Sequence, residues 1–434
     1  MSEEGFTVTV YQNEYLPEGG QEVNAIVTVT SPETGPPEAQ SRTDAAEVII
    51  VDCSGSMGAP RTKIDHAKLA TSGAIDAIRD GVEFAVIAGT NNAFPVYPAS
   101  GSLVAANVHS KDEAKRAVAG LQARGGTAIG TWLSLARQLF LQSPAPIRHA
   151  ILLTDGKNEH ESAIDLEAAI AACEGVFSCD CRGVGADWVV AELRRVSTAL
   201  LGTVDIVPDA EGLSAEFAAM MEKAMGKQVA DVMLRIWTPQ QATLKFVKQV
   251  SPAVDDLTDR RSQSGSLAGE YPTGAWGAGE SRDYHICVQI SPEAIQQEVL
   301  AARVSLMVGS EIAGQGLVRA VWTDDLQLST RINQHVAHYV EQTDLAQNIQ
   351  DGLAALQSGD EDTATSKLGR AVALAKQSGN EATAGLLAKV VDEDPATGTV
   401  TIKKKVAAED AMALDTRSVI TRPVKKQKDP LETA

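Results

Sequence analysis

The sequence predicts an α/β protein built on a doubly wound, mostly parallel sheet, with antiparallel β segments on either side and a small helical unit after them. Three observations predict it. From Ala46 to about Lys227, apolar β-branched runs alternate with stretches of helical spacing, the order expected of a sheet covered on both faces. Val48-Ile49-Ile50-Val51 and Ile151-Leu152-Leu153 are apolar without alternation, as strands buried on both faces must be. The flanking regions instead hold short β-rich runs separated by turn residues, and residues 330–391 are rich in Ala and Leu at helical period.

In chain order, residues 6–12 and 22–31 are β-rich, are separated by Leu16-Pro17-Glu18-Gly19-Gly20, and read as an antiparallel pair. A proline-containing connector follows, to Arg42. In the alternating region, helices are expected over 63–79, from Ser110 with Glu113 completing a capping box, and over 129–141, 162–173, 188–200 and 212–225. Strands are expected over 83–88, 149–153, 177–184 and 204–207, with a short edge strand at 95–98. Beyond Lys227, strands are expected over 232–237, 243–250, 284–290, 300–308 and 317–322, and residues 255–269 read as a mobile loop. In the helical unit, Gly359-Asp360 and Gly379-Asn380 mark breaks, with Asp360 and Asn380 as N-caps. Residues 392–434 read as a disordered tail, because apart from Val400-Thr401-Ile402 they cannot bury enough apolar surface to order themselves. The expected units are therefore 1–42, 45–227, 228–329, 330–391 and the tail 392–434.

Most of the chemistry lies where the first buried strand ends. In Asp52-Cys53-Ser54-Gly55-Ser56 the three oxygen-bearing side chains alternate, so an extended backbone puts them on one side, and Gly55 permits a sharp turn. Oxygen ligands that include a carboxylate suit a hard divalent cation. The stretch alone also describes a turn or a helix N-cap. Two further pieces favour a metal. Thr127 follows Gly125-Gly126 ahead of a helix, and Asp155 closes the second buried strand before Gly156. In an open α/β sheet, ligands bind at the carboxyl ends of the strands, where all these residues fall.

The set Asp52, Ser54, Ser56, Thr127 and Asp155 resembles the metal-ion-dependent adhesion site of the von Willebrand factor A domain, and Lys63-Ile64-Asp65-His66-Ala67-Lys68 is similar to the first helix after that motif. The resemblance implies a bound Mg²⁺, with Mn²⁺ or Ca²⁺ as alternatives. Ser54, Ser56 and Thr127 would coordinate by hydroxyl, with Asp52 and Asp155 acting directly or through water. It also implies a partner protein that supplies an Asp or Glu to the metal. The flanking β segments resemble inter-alpha-trypsin-inhibitor heavy chains, in which the A domain is inserted into an antiparallel β-sandwich. On that likeness the first 31 residues complete the sheets formed by about 228–325.

Composition narrows the function classes. A net charge of −19 over 434 residues argues against general binding to nucleic acid or to an anionic membrane, and no apolar run reaches bilayer length. The acidic start lacks an apolar signal region, so a cytoplasmic protein is expected. Of five cysteines, Cys179 and Cys181 alternate in a strand and read as reduced packing residues, and Cys53 should point into the core, away from Asp52. His335 and His338 read as a solvated helix face. No phosphate-binding glycine loop and no hydrolase nucleophile elbow is present, so no enzyme is expected. The first function class is a metal-dependent protein-interaction module or scaffold. The alternative is the non-ATPase subunit of a metal-dependent enzyme complex of the chelatase type. Thr416 and Thr421, beside Arg417 and Arg422 in the expected tail, are candidate sites for a kinase and a phosphothreonine reader.

Overall fold

A computed structural model describes residues 5–33, 45–60, 62–208, 212–394 and 398–424. Its centre is the strand Ala45–Asp52, flanked by Ile147–Thr154 and Glu83–Gly89, both parallel to it. Ser178–Val184 and Val204–Val207 extend the parallel sheet on one side, and Ala93–Tyr97 closes the other as an antiparallel edge. Val48 and Ile50 enter one apolar core and Ile49 and Val51 the other, and all four are fully buried. That is why the run shows no alternation of apolar and polar residues. The helices Ile129–Phe140, Ala163–Cys173 and Val190–Ala199 cover the first face, and Thr62–Ala77, Val108–Ala119 and Leu213–Met225 cover the second.

The segments on either side of this domain pair with each other. Glu22–Thr30 lies between Thr7–Gln12 and Ser281–Ile290, antiparallel to both, with Val27 opposite Tyr284. Ala242–Ser251 continues this sheet beyond Ser281–Ile290. A second sheet is built on Ala268–Gly277, Lys227–Trp237, Glu298–Val308 and Glu311–Thr323, and Tyr15–Pro17 adds a short parallel edge. The two sheets share one core that includes Val27, Trp276, Tyr284, Val304 and Trp322. The helices Gln334–Ser358, Glu361–Gln377 and Glu381–Val390 follow, and Asp360 and Asn380 cap the last two through their side chains. Gly359 and Gly379 take positive φ at the breaks, where a side chain would be strained.

Several expectations are corrected. The capping box of Val108–Ala119 is formed by Asn107 and Ser110, one turn earlier than Ser110 with Glu113. Residues 255–269 hold two short strands and a 3₁₀ turn, tied by Arg260 to Asp255 at 2.9 Å. His335 stacks on Tyr11 with ring centroids 3.6 Å apart, and His338 Nε2 is hydrogen-bonded to the Arg422 carbonyl at 2.8 Å, so neither belongs to a solvated face.

The largest correction concerns the tail. Val391–Glu393 and Val400–Ile402 form a hairpin, and Ala408–Arg417 is a helix with Leu414 fully buried in the core of the helical unit. Ala413 of the same helix joins a core of the parallel-sheet domain. Arg194 pairs with Asp415 at 2.7 Å and Arg417 with Asp205 at 3.0 Å. Val254 N donates to the Val419 carbonyl, and Thr421 Oγ1 donates to that of Val250. The segment therefore orders itself on three other surfaces and needs little apolar surface of its own. Thr416 is 1% exposed and Thr421 8%, which closes both to a kinase or a phosphothreonine reader. Residues 395–397 and 425–434 of the expected tail lie outside the described residues.

Candidate metal centre

Asp52 ends the central strand and is fully buried. Its Oδ1 accepts from the Ser54 backbone N–H at 2.7 Å and its Oδ2 from the Thr154 hydroxyl at 2.6 Å, so the carboxylate is held by the turn that follows its own strand and by the end of the neighbouring strand Ile147–Thr154. Burial pushes this carboxyl up to about 6 and nearby Asp155 adds to the rise, although the hydrogen bonds from Thr154 and Ser54 oppose it. Cys53 turns the other way, into the core, where burial and the Asp52 charge push its thiol up to about 12. It cannot serve as a nucleophile at neutral pH.

Beyond Asp52 the chain makes the 3₁₀ turn Gly55–Gly58. Ser54 occupies its N-cap position but makes no side-chain cap; its hydroxyl lies 2.9 Å from that of Ser56. Ser56 in turn donates to Asp155 Oδ1 at 2.6 Å. Gly55 N–H donates to the Gly125 carbonyl, and Arg124 N–H to that of Cys53, which brings the Thr127 loop alongside.

That loop is clamped from two sides. Asn91 Oδ1 accepts from Gly126 N–H at 2.7 Å, and His160 Nδ1 accepts from Thr127 N–H while the His160 backbone N–H donates to the Thr127 carbonyl. Asn158 and Glu161 accept from the first backbone amides of the helix Ile129–Phe140. A Cβ built on Gly126 would fall 2.2 Å from the His160 ring, so only glycine fits there. Thr127 itself is 4% exposed.

The five oxygen-bearing side chains expected from the sequence are thus brought together, and one measure shows how closely. A Cβ built on Gly156 would stand 3.2 Å from Ser56 Oγ, 3.2 Å from Thr127 Oγ1 and 4.0 Å from Ser54 Oγ. Three hydroxyls therefore converge on a small cradle that glycine leaves open, and the buried carboxylates Asp52 and Asp155 back it. This all-oxygen donor set fits a hard divalent ion. Among the described residues there is no cluster of three or more His, Cys, Asp or Glu that would suit a softer metal.

Sequence reasoning did not assign Thr154, Asn91 or Lys63 to the site. Thr154 stands next to Asp155, and that adjacency was the available signal. Lys63 donates to Asp155 Oδ2 at 2.7 Å across 92 residues of chain, which no local pattern reports.

Comparison with known proteins identifies the family. The von Willebrand factor type A domain model matches residues 46–206, and the von Willebrand factor type A C-terminal domain model matches residues 373–418. A solved von Willebrand factor type A protein from Catenulispora acidiphila is 50% identical over 97% of this chain and 98% of its own, with a TM-score of 0.92. This chain belongs to the von Willebrand factor type A family. The ArnB paralog VWA2 from Sulfolobus acidocaldarius shares the fold across 95% of the chain, at 13% identity and a TM-score of 0.59. An uncharacterized protein of Synechocystis is 28% identical over 218 residues, and the match spans 49% of that protein's length. The C-terminal family match covers residues 392–418 of the segment expected to be a disordered tail, including the helix Ala408–Arg417, so that part belongs to the family's own architecture. Von Willebrand factor type A domains are a general class of protein-interaction module. Among the described residues no helix is long and apolar enough to cross a membrane.

Proposed function

We propose that this von Willebrand factor type A protein is a metal-dependent interaction module that engages an Asp or Glu of a partner protein and works by binding, without turnover. The observation that carries this reading is the convergence of the Ser54, Ser56 and Thr127 hydroxyls on the space beside Gly156, backed by two buried carboxylates. Those hydroxyls, with Asp52 and Asp155, would hold Mg²⁺, and Mn²⁺ would substitute for it. Bound there, the ion supplies a coordination position that a partner carboxylate can take. The rest of the work falls to the chain's own residues. Thr154 and the Ser54 amide orient Asp52, while Asn91 and His160 hold the Thr127 loop. The exposed rim at Gly58-Ala59-Pro60 and at Lys157, Glu159 and His160 would select the partner. Five free, buried cysteines support a reducing, cytoplasmic setting.

The test is calorimetric titration of Mn²⁺ into the full chain and into Thr127→Val, then capture of a partner from lysate in Mg²⁺ and in EDTA. The wild type should bind one ion, Thr127→Val should lose most of that binding, and capture should disappear in EDTA. Equal capture in both buffers would overturn the proposal.

A further inference from the structure

The second carboxylate of the cradle already has a cation. Asp155 is fully buried, with Oδ1 accepting from Ser56 and Oδ2 accepting from the Lys63 ammonium at 2.7 Å. Lys63 stands in the first turn of the helix Thr62–Ala77, its backbone N–H donates to the Pro60 carbonyl, and its side chain is only 15% exposed. The ammonium is therefore fixed at the site. Its other carboxylate, Asp187, lies 3.6 Å away and is 78% exposed, where water screens its charge.

The charges at the cradle then have a consequence. Asp52 and Asp155 would between them neutralise a divalent ion. Lys63 takes up one of those negative charges, so a loaded cradle keeps a positive charge that a further anion must offset. We propose that Lys63 is the specificity-determining residue of the metal site: it weakens the hold on metal alone and makes an anionic partner group part of the stable complex. This rests on the metal reading above and deepens it. Metal and carboxylate binding become reciprocally coupled, each tightening the other by the same factor. The module would then hold metal and partner together more readily than metal alone.

Calorimetric titration of Mn²⁺ into the full-length wild type, Lys63→Gln and Lys63→Arg, with and without acetate at matched ionic strength, tests this. Gln keeps a hydrogen-bond donor for Asp155 without the charge, and Arg keeps the charge. Lys63→Gln should bind Mn²⁺ alone at least about tenfold more tightly than wild type, about 1.4 kcal/mol. Acetate should tighten Mn²⁺ binding to the wild type and to Lys63→Arg, with little effect on Lys63→Gln. Wild-type binding that ignores acetate overturns the proposal without recourse to any variant, as does a Lys63→Gln affinity equal to or weaker than wild type. In both of those cases the metal reading survives. If none of the three proteins binds Mn²⁺, the metal reading falls and this proposal with it.

Discussion

Gly156→Ala puts the cradle to its most direct test, because it adds a single methyl at the point on which the hydroxyls converge. That methyl would lie 3.2 Å from Ser56 Oγ and Thr127 Oγ1 and 4.0 Å from Ser54 Oγ. Contacts of 3.2 Å are tight but fall on rotatable hydroxyls, so the metal-free fold can yield by a few tenths of an ångström. Gly156 does not take a positive φ, and Ala at such a position restricts the unfolded chain enough to add about 0.4–1 kcal/mol of stability. Mild overpacking costs about 1 kcal/mol or more, so the two effects nearly cancel in the absence of metal. With metal they do not. A ligand at a hundredfold excess over its Kd stabilises the folded state by about 2.7 kcal/mol. The wild type should gain that amount, and Gly156→Ala, with the space filled, should gain almost none. Urea unfolding of both full-length proteins, followed by circular dichroism in EDTA and in saturating Mg²⁺, reads the difference. A Mg²⁺-dependent midpoint shift in Gly156→Ala equal to that of the wild type would refute the cradle.

Two further outcomes follow from groups away from the cradle. His149 lies between Glu47 at 2.9 Å and Asp180 at 3.1 Å; burial opposes its charge, but the Glu47 charge and the bond to Asp180 outweigh this and push it up to about 10. The folded value lies above the unfolded one of about 6.5, so the stabilisation is complete below that pH and is lost as pH rises toward about 10. The urea stability of the wild type relative to Glu47→Gln/His149→Gln should therefore fall across that window, by at most on the order of 5 kcal/mol, and a constant difference would contradict the assignment. In the C-terminal helix, Thr416 is 1% exposed and its hydroxyl donates to Asp205 Oδ1 at 3.2 Å. Thr416→Glu would bury a carboxylate against Asp205 and should lower stability by about 2 kcal/mol or more, whereas an unchanged melting temperature would mean that the segment is not docked as described.

The alternating region was legible because its periodicity is local. Val48 to Val51 announce a strand buried on both faces within four residues, and Asp52, Ser54 and Ser56 share a side through backbone geometry that any extended segment has. Thr127 and Asp155 could be placed because each sits at the end of a strong element, Thr127 ahead of a helix and Asp155 after a strand. The first strands could be recognised as β structure, but their pairing with Ser281–Ile290, across about 250 residues, is a tertiary fact.

The sequence by itself determined the elements of the alternating region, the donor chemistry and the end of the sheet where that chemistry would meet. Tertiary structure decided everything that depends on a surface contributed from elsewhere. Ala408–Arg417 has too few apolar residues to fold alone, and it is ordered because Ala413 and Leu414 enter two cores that other segments build. Thr416 and Thr421 looked exposed because a window of sequence does not show what covers it. His335 and His338 looked solvated for the same reason, until Tyr11 and Arg422 were placed against them. Lys63 is the sharpest case. Its helical spacing is legible, but its ion pair with Asp155 joins positions 92 residues apart, and only packing the first helix beside the second buried strand brings the two charges within 2.7 Å.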